Sequence, residues 1–471
     1  MALFRCLIFM INNISIFGLG KLGASMVAGM ASRGFNVIGV DVSKHAVNAV
    51  NEGRAPVQET GLGEMIAANH ERIRATMSSE EAIENSDVSF VIVPTPSDEL
   101  GAFSIKYAAH AFRAIGKALA NKDGYHLVAL TSTVLPGSTR YGLLPVLEAE
   151  SGKKCGPDFG ICYSPEFIAL GTVIRDFLNP DFYLVGQFDE RSGEILEAVN
   201  RRVCLKDPVV RRMSIENAEI AKIAINSYVT LKISFANTIA DLCEQVPGGD
   251  IDIVCEALGS DSRIGRKYLT GGMGFAGPCF PRDNVALSFI GSRLGADCSL
   301  LETNDTYNRS LSRRFVEKLK RIVGVANTVA VLGLAYKPLT HIVENSPGVY
   351  LALAMADAGY RVIGYDPLAN ESARIPLQYR ALIAESLGEC LQDADVVLLT
   401  TRDETFCNLT AADFLQGGNQ VTVVDFWRCL SDSVATAPGI RYVPIGRCLD
   451  DESAVDRIRR LWTKNADLAA K

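Results

Sequence analysis

Residues 14–23 read Ile14-Ser-Ile-Phe-Gly18-Leu-Gly20-Lys-Leu-Gly23, and a helix-compatible stretch runs on from Ala24 to Arg33. A short apolar strand, three glycines spaced G-x-G-x-x-G and then a helix make the phosphate-binding turn of a dinucleotide-binding α/β unit. Gly18 permits the tight turn, Gly20 lets the backbone approach a pyrophosphate, and Gly23 allows the helix to pack close. The phosphates are expected on the N-terminus of that helix. A second strand, Asn36–Val40, ends at Asp41. An acid there accepts from ribose hydroxyls and repels a 2′-phosphate, which favours NAD over NADP.

Working outward, the run Val88–Val93 stops at Pro94-Thr95-Pro96, and His126–Leu130 stops at Thr131-Ser132-Thr133. Short strands alternating with helical stretches indicate a parallel sheet with helices on both faces. Ligands of such sheets bind outside the carboxyl ends of the strands. Leu22 in the turn and Thr95 and Thr133 at those ends therefore join the glycines and Asp41 as expected cofactor contacts. Ser132 and Thr133 equally suit N-caps or turns.

The second half repeats this grammar. Gly34-Phe-Asn-Val-Ile-Gly-Val-Asp41 lines up with Gly359-Tyr-Arg-Val-Ile-Gly-Tyr-Asp366, residues 14–20 with Val329-Ala-Val-Leu-Gly333-Leu-Ala335, and Asn85-Ser-Asp87-Val with Asp393-Ala-Asp395-Val. Between the copies, residues 215–245 carry no Gly or Pro and have helix-compatible apolar spacing, and residues 300–323 form a second long candidate. The fold class expected is α/β, with two doubly wound, Rossmann-like domains joined by a long helical region. The boundaries are 10–210, 211–322 and 323–471, and the middle part is expected to form a dimer surface.

Composition narrows the function. The chain has 471 residues, 48% of them apolar and 21% charged, and its formal charge is 47 − 54 = −7. That suits large cores and gives no overall attraction to nucleic acid or to an anionic membrane. No run of 18 apolar residues is present, so no transmembrane helix is expected. The opening MALFRCLIFMI is short, broken by Arg5 and without a small-residue cleavage site; it does not read as a signal peptide, and Met10 is a candidate start. Twelve cysteines without a CxxC pair, and five histidines, argue against a disulfide framework or a metal site. Mostly buried thiols in a reducing cytoplasm are the expectation.

One cysteine reads differently. Gly274-Phe-Ala-Gly277-Pro-Cys279-Phe-Pro-Arg-Asp283 is a loop that delivers Cys279 to the start of a helix. A helix N-terminus favours the thiolate. Asp283, four residues on, shares that face and suits the orienting of a water or a lysine. Lys222 and Asn226 are also four apart, on one face of the central helix. Ammonium and amide make a donor pair for a developing oxyanion, or a solvated lysine beside a tolerated asparagine. Glu166 lies between Pro165 and Phe167, where partial desolvation makes a usable base.

Together these residues resemble the nucleotide-sugar dehydrogenase family of UDP-glucose/GDP-mannose type. Residues 14–428 carry its motifs in order: the first glycine turn, Val93-Pro-Thr-Pro96, Ser132-Thr-Val134, Pro165-Glu-Phe167, Arg263-Ile-Gly265, residues 274–283 and Gly333-Leu-Ala-Tyr-Lys337. The resemblance implies NAD-dependent, four-electron oxidation of a hexose C6 alcohol to the uronate, most simply of UDP-glucose. It makes Cys279 the nucleophile, Lys222 and Asn226 the oxyanion donors, and Asp283 the residue that orders a water. Glu166 and Thr133 would handle the hydrolytic water. Phe167, Gly274, Phe275 and Gly277 would contact the substrate. Arg263 would reach the sugar nucleotide of the neighbouring subunit of a homodimer, and Lys337 and Arg428 would contact the ligand of the second domain.

The chain departs from the family at four places. Leu170 stands where a second glutamate is usual, Glu344 where many members carry arginine, Lys21 where a tyrosine is common, and Asp425-Phe-Trp-Arg428 replaces the usual Asp-x-Arg. GDP-mannose and UDP-N-acetylhexosamine are the alternative substrates, and a non-catalytic nucleotide-sugar-binding protein is the alternative class. A β-hydroxyacid dehydrogenase would need neither the cysteine nor the second nucleotide-binding domain.

Overall fold

The computed structural model describes residues 11–324, 328–418, 420–449 and 452–469. The candidate start at Met10 lies outside them. Among the described residues the strands form two sheets. The first contains β1 (Asn13–Phe17), β2 (Asn36–Val40), β3 (Ile73–Thr76), β4 (Val88–Val91), β5 (His126–Leu130), β6 (Phe159–Tyr163), β7 (Phe182–Gln187) and β8 (Val209–Ser214), in the order 3-2-1-4-5-6-7-8. The second contains β9 (Thr328–Leu332), β10 (Arg361–Tyr365), β11 (Leu382–Ile383), β12 (Val396–Leu399), β13 (Val421–Asp425) and β14 (Ile440–Pro444), in the order 11-10-9-12-13-14. Renumbered from its own start, the second sheet has the order 3-2-1-4-5-6, so the repeat seen in sequence is a repeat of topology. Both are doubly wound, with the switch point between the first and fourth strands.

One feature differs from the expected parallel sheet. β6 and β7 pair antiparallel, Cys162 opposite Gln187, and β8 runs parallel to β7. The last two strands of the first sheet are therefore reversed. The β6–β7 connection carries only a six-residue helix, Val173–Leu178, and returns the chain without a full crossover.

The central strands are buried on both faces, as their near-continuous apolar runs require. Polar exceptions satisfy one another. Ser15 Oγ lies 2.6 Å from Ser89 Oγ, which lies 2.7 Å from His126 Nε2, across β1, β4 and β5. Burial lowers the His126 imidazole to about 3, so it stays neutral in the core.

Each sheet opens on a glycine turn with the same internal geometry. Gly18 and Gly333 have φ of +103° and +110°, values that exclude a side chain. A Cβ on Gly23 would collide with the Gly18 carbonyl oxygen, and one on Gly348 with that of Gly333. Leu19 N donates to Asp41 Oδ2 at 2.7 Å; Leu334 N and Ala335 N donate to Asp366 Oδ2 at 2.9 Å.

The helices that matter for function are α1 (Lys21–Ser32), α2 (Ile215–Cys243), α3 (Ile251–Ser260), α4 (Phe280–Arg293), α5 (Ser299–Val323) and α6 (Pro347–Asp357). The chain divides into two compact units: one up to Ile225 together with Phe289–Ala296, the other Asn226–Ser288 together with residues from Asp297 onward. The division falls inside α2, which contributes Lys222 to the first unit and Asn226 to the second. No helix among the described residues is long and apolar enough to cross a membrane.

Candidate active site

In the first unit the glycine turn leads straight into α1. Gly20 is the N-cap residue and no side chain caps the helix. A Cβ on Gly20 would meet nothing within 4 Å. With no side-chain cap and room beside Gly20, this helix N-terminus can be approached by a pyrophosphate. The second glycine turn is different. Residues 334–346 intervene before α6, Ser346 accepts from Val349 N at 3.4 Å, and Pro347 opens the helix. Proline has no N–H and the serine occupies another, so α6 offers fewer donors. Of the two turns, the first fits a dinucleotide.

Asp41 also accepts from Ser43 N at 2.8 Å. A carboxylate has about four acceptor positions, so two such bonds leave capacity for a ribose hydroxyl. Thr95 Oγ1 donates to the Thr133 carbonyl at 2.8 Å, and Ser132 Oγ takes Val93 N at 2.8 Å. These bonds tie the β4 and β5 ends into one rim.

Glu166 and Lys222 are both nearly buried. Lys222 Nζ donates to the main-chain carbonyl of Glu166 at 2.9 Å and stands 4.4 Å from the centre of the Phe167 ring, a cation–π position. Phe167 in turn packs on Phe182 at 4.9 Å. Burial pushes the Glu166 carboxyl up to about 8, against the opposing pull of the Lys222 ammonium. Glu219, one turn earlier on α2, accepts from Gly137 N at 2.6 Å and Thr139 N at 2.9 Å. It anchors the loop that follows Thr133. The sequence reading missed it, because an acid among Glu216, Asn217 and Lys222 carries no signal of its own.

The second unit holds the cysteine loop. Cys279 is exposed and sits immediately before α4; its carbonyl accepts from Asp283 N at 2.8 Å. The thiol thus stands at a helix N-terminus, where a thiolate is favoured. Asp283 is buried, and its Oδ2 accepts from Asn226 Nδ2 at 2.6 Å. Gly277 has φ +81°, and a Cβ there would come within 2.5 Å of the Tyr336 ring. Burial, and then the neighbouring Cys279, raise the Tyr336 hydroxyl well above its usual range.

Two asparagines that the sequence did not single out hold the approach to this loop. Asn237 accepts from Gly272 N at 2.7 Å and donates to the Met273 carbonyl at 3.2 Å. Asn308 accepts from Phe275 N and donates to the Phe275 carbonyl, both at 2.9 Å. Each side chain mimics a strand neighbour for a segment that has none. Asn345 Nδ2 donates to the Gly277 carbonyl at 3.2 Å. The insert before α6 therefore supports the cysteine loop, and Glu344 lies in it.

Arg263 is exposed and ion-paired with Asp261. Lys337 Nζ lies 5.8 Å from the centre of the Tyr336 ring. Arg428 does not present itself to a ligand: its side chain is 2% exposed and all three guanidinium nitrogens are engaged within the protein. This inward course differs from the nucleotide contact expected at Arg428. The Asp425 carboxylate gathers the N–H groups of residues 427–430 into a tight turn that sends this side chain inward.

An open dinucleotide turn in one doubly wound domain, followed by a second such domain, marks a dinucleotide-dependent dehydrogenase. Comparison with known proteins agrees. Residues 12–204 match the UDP-glucose/GDP-mannose dehydrogenase family NAD-binding domain, 216–310 its central domain and 330–432 its UDP-binding domain. The chain is 36% identical to a UDP-glucose 6-dehydrogenase of Haloferax volcanii over 84% of this chain and 93% of that one. It is 33% identical to a GDP-mannose 6-dehydrogenase of Pseudomonas putida over 91% and 99%. A solved UDP-glucose dehydrogenase from Pyrobaculum islandicum superposes with a TM-score of 0.83 at 32% identity, covering 93% of this chain and 98% of that chain. The chain belongs to the UDP-glucose/GDP-mannose dehydrogenase family, a family of NAD-dependent nucleotide-sugar dehydrogenases.

Proposed function

We propose that this enzyme oxidises UDP-glucose to UDP-glucuronate in two steps, through a thioester on Cys279. The observation that carries the covalent reading is the exposed thiol at the start of α4, one turn before the buried Asp283 that accepts from Asn226. The UDP-binding domain match and the UDP-glucose relatives from Haloferax volcanii and Pyrobaculum islandicum favour the substrate.

NAD, when bound at the uncapped start of α1, supplies the hydride acceptor for each oxidation. In the first oxidation the C6 hydroxyl gives its proton to solvent as the hydride leaves, and Lys222 and Asn226 donate to that oxygen as it gains charge. The Cys279 thiolate adds to the C6 aldehyde; its electron pair forms the C–S bond and the carbonyl pair moves onto oxygen. After the second oxidation the carbon is a thioester. Glu166 takes a proton from a water, with Thr133 and Asp283 orienting it, and the attack expels Cys279 as thiolate. The helix N-terminus stabilises that leaving charge. Phe167 and residues 274–277 contact the sugar, and Lys337 the ligand of the second domain.

Two NADH per UDP-glucose at completion, with NAD in excess, is the expected stoichiometry. One NADH would remove the thioester from the scheme. None with UDP-glucose but two with GDP-mannose would keep the chemistry and change the substrate.

The Glu166 carboxyl gives a pH signature. A base acts as the carboxylate, which is the minor form below about 8. Thioester hydrolysis should therefore rise about tenfold per pH unit below that value and level off above it. Glu166→Gln should flatten this profile at a rate about 10²–10⁴-fold lower. A wild-type single-turnover profile that is flat between pH 6 and 9 would exclude Glu166 as the base.

We also take the enzyme to be a cytoplasmic homodimer joined through the 211–322 region. On α2, Tyr228, Phe235 and Leu242 are 60%, 52% and 58% exposed at seven-residue spacing, which is one stripe on a helix. Such a stripe calls for a partner face, and Arg263 then reaches the neighbouring site. Phe235→Glu should give monomers in sedimentation; an unchanged dimer would place the interface elsewhere.

A further inference from the structure

Arg428 joins separate segments of the second unit. Its Nε and Nη2 donate to both oxygens of Asp252, in the first turn of α3, at 2.8 and 2.9 Å. Nη2 also reaches the Thr270 and Gly271 carbonyls at 2.9 and 3.0 Å. Nη1 takes the Phe426 and Ile445 carbonyls at 2.9 and 2.6 Å, beyond the ends of β13 and β14. Arg428 has φ +52°, an uncommon value for a residue with a side chain. Burial alone would raise the Asp252 carboxyl, but Arg428 and Arg447 hold it below its usual range.

The carbonyls it grips open the cysteine loop. Gly272 follows directly and packs on the same turn: a Cβ there would come within 2.7 Å of the Phe426 carbonyl oxygen. Asn237 holds Gly272 and Met273, Asn308 holds Phe275, and Tyr336 and Asn345 hold Gly277. The backbone from 270 to 277 is thus gripped at almost every residue, and its first anchor is the Arg428 fork. A lysine could not replace it, because an ammonium has no planar fork.

We propose that Arg428 is a positioning residue for the reaction: with Asp252 it fixes residues 270–273 and so sets where Cys279 stands. It does not bind the nucleotide sugar. The proposal rests on Cys279 being the nucleophile, and the experiment separates the two.

Arg428→Lys and Asp252→Asn are compared with wild type in three readouts. These are amide hydrogen exchange over residues 272–279, kcat against KM for uronate formation, and the thermal midpoint. For Arg428→Lys we expect exchange over 272–279 to quicken at least tenfold relative to the β9–β13 core. We expect kcat to fall about tenfold or more, with KM for the nucleotide sugar within about threefold, the pattern of an interaction that matters in the transition state. Asp252→Asn leaves Arg428 its carbonyl partners and should show the same pattern, weaker. A tenfold rise in KM at unchanged kcat would make Arg428 a ligand contact and overturn the proposal. So would unchanged exchange over 272–279, or a lowered midpoint with unchanged kcat. If neither variant folds, the clamp supports the whole unit rather than the loop, and the proposal falls. Should Cys279→Ser still make uronate, the nucleophile reading fails, while the exchange data still decide whether Arg428 holds the loop.

Discussion

Cys279→Ser will stop uronate formation, lowering its rate by on the order of 10³-fold or more. The substitution changes one atom at an exposed site, so the fold is retained. What is lost is a thiol, a far more easily ionised nucleophile than a hydroxyl. A thiol has an unperturbed pKa of about 8.5 and falls further at a helix N-terminus; a serine hydroxyl does not ionise in that range. The adduct with the aldehyde then does not accumulate, and no thioester forms. The check is single-turnover NADH release together with product analysis. Wild type should give two NADH and the uronate, and the variant at most one NADH with aldehyde or unreacted sugar. Undiminished uronate from the variant would overturn the covalent scheme.

Gly23→Ala should cost about 1–3 kcal/mol of stability and weaken NAD binding at least tenfold. The new methyl would collide with the Gly18 carbonyl oxygen, so α1 or the turn has to shift. Either shift moves the helix N-terminus on which the phosphates are expected, and a tenfold loss needs only about 1.4 kcal/mol. Gly348→Ala provides the comparison, because its methyl meets the Gly333 carbonyl oxygen in the same way. That variant should lose similar stability yet keep its NAD affinity. Calorimetric titration with NAD distinguishes them. Equal loss of NAD binding in both would mean that the first turn is not the cofactor site.

The glycine turns, Asp41, the repeated strands and the long α2 were legible because each is written in contiguous residues with local causes. The placement of Cys279 at a helix start, one turn before Asp283, was legible for the same reason: loop, helix start and acid lie within ten positions. Reversal of β7 and β8 was not, because strand direction depends on where a connection leads and not on the strand's own residues. Asn237, Asn308 and Glu219 were missed for a related reason. Each looks like an ordinary polar residue on a helix until its backbone partner, 33 to 82 positions away, is known. Arg428 shows the opposite case. Its place in a motif suggested a ligand contact, whereas the turn around Asp425 directs it inward to Asp252 and the 270–271 carbonyls.

The unbroken course of α2 through Lys222 and Asn226 limits how this chain can vary by insertion and deletion. One residue added between them would turn Asn226 by about 100° and displace it by about 1.5 Å along the axis, taking it off the face it shares with Lys222. Length changes should therefore be lethal within 222–226 and tolerated in the surface loops, so a library of single-codon insertions would trace this segment of helix as a gap.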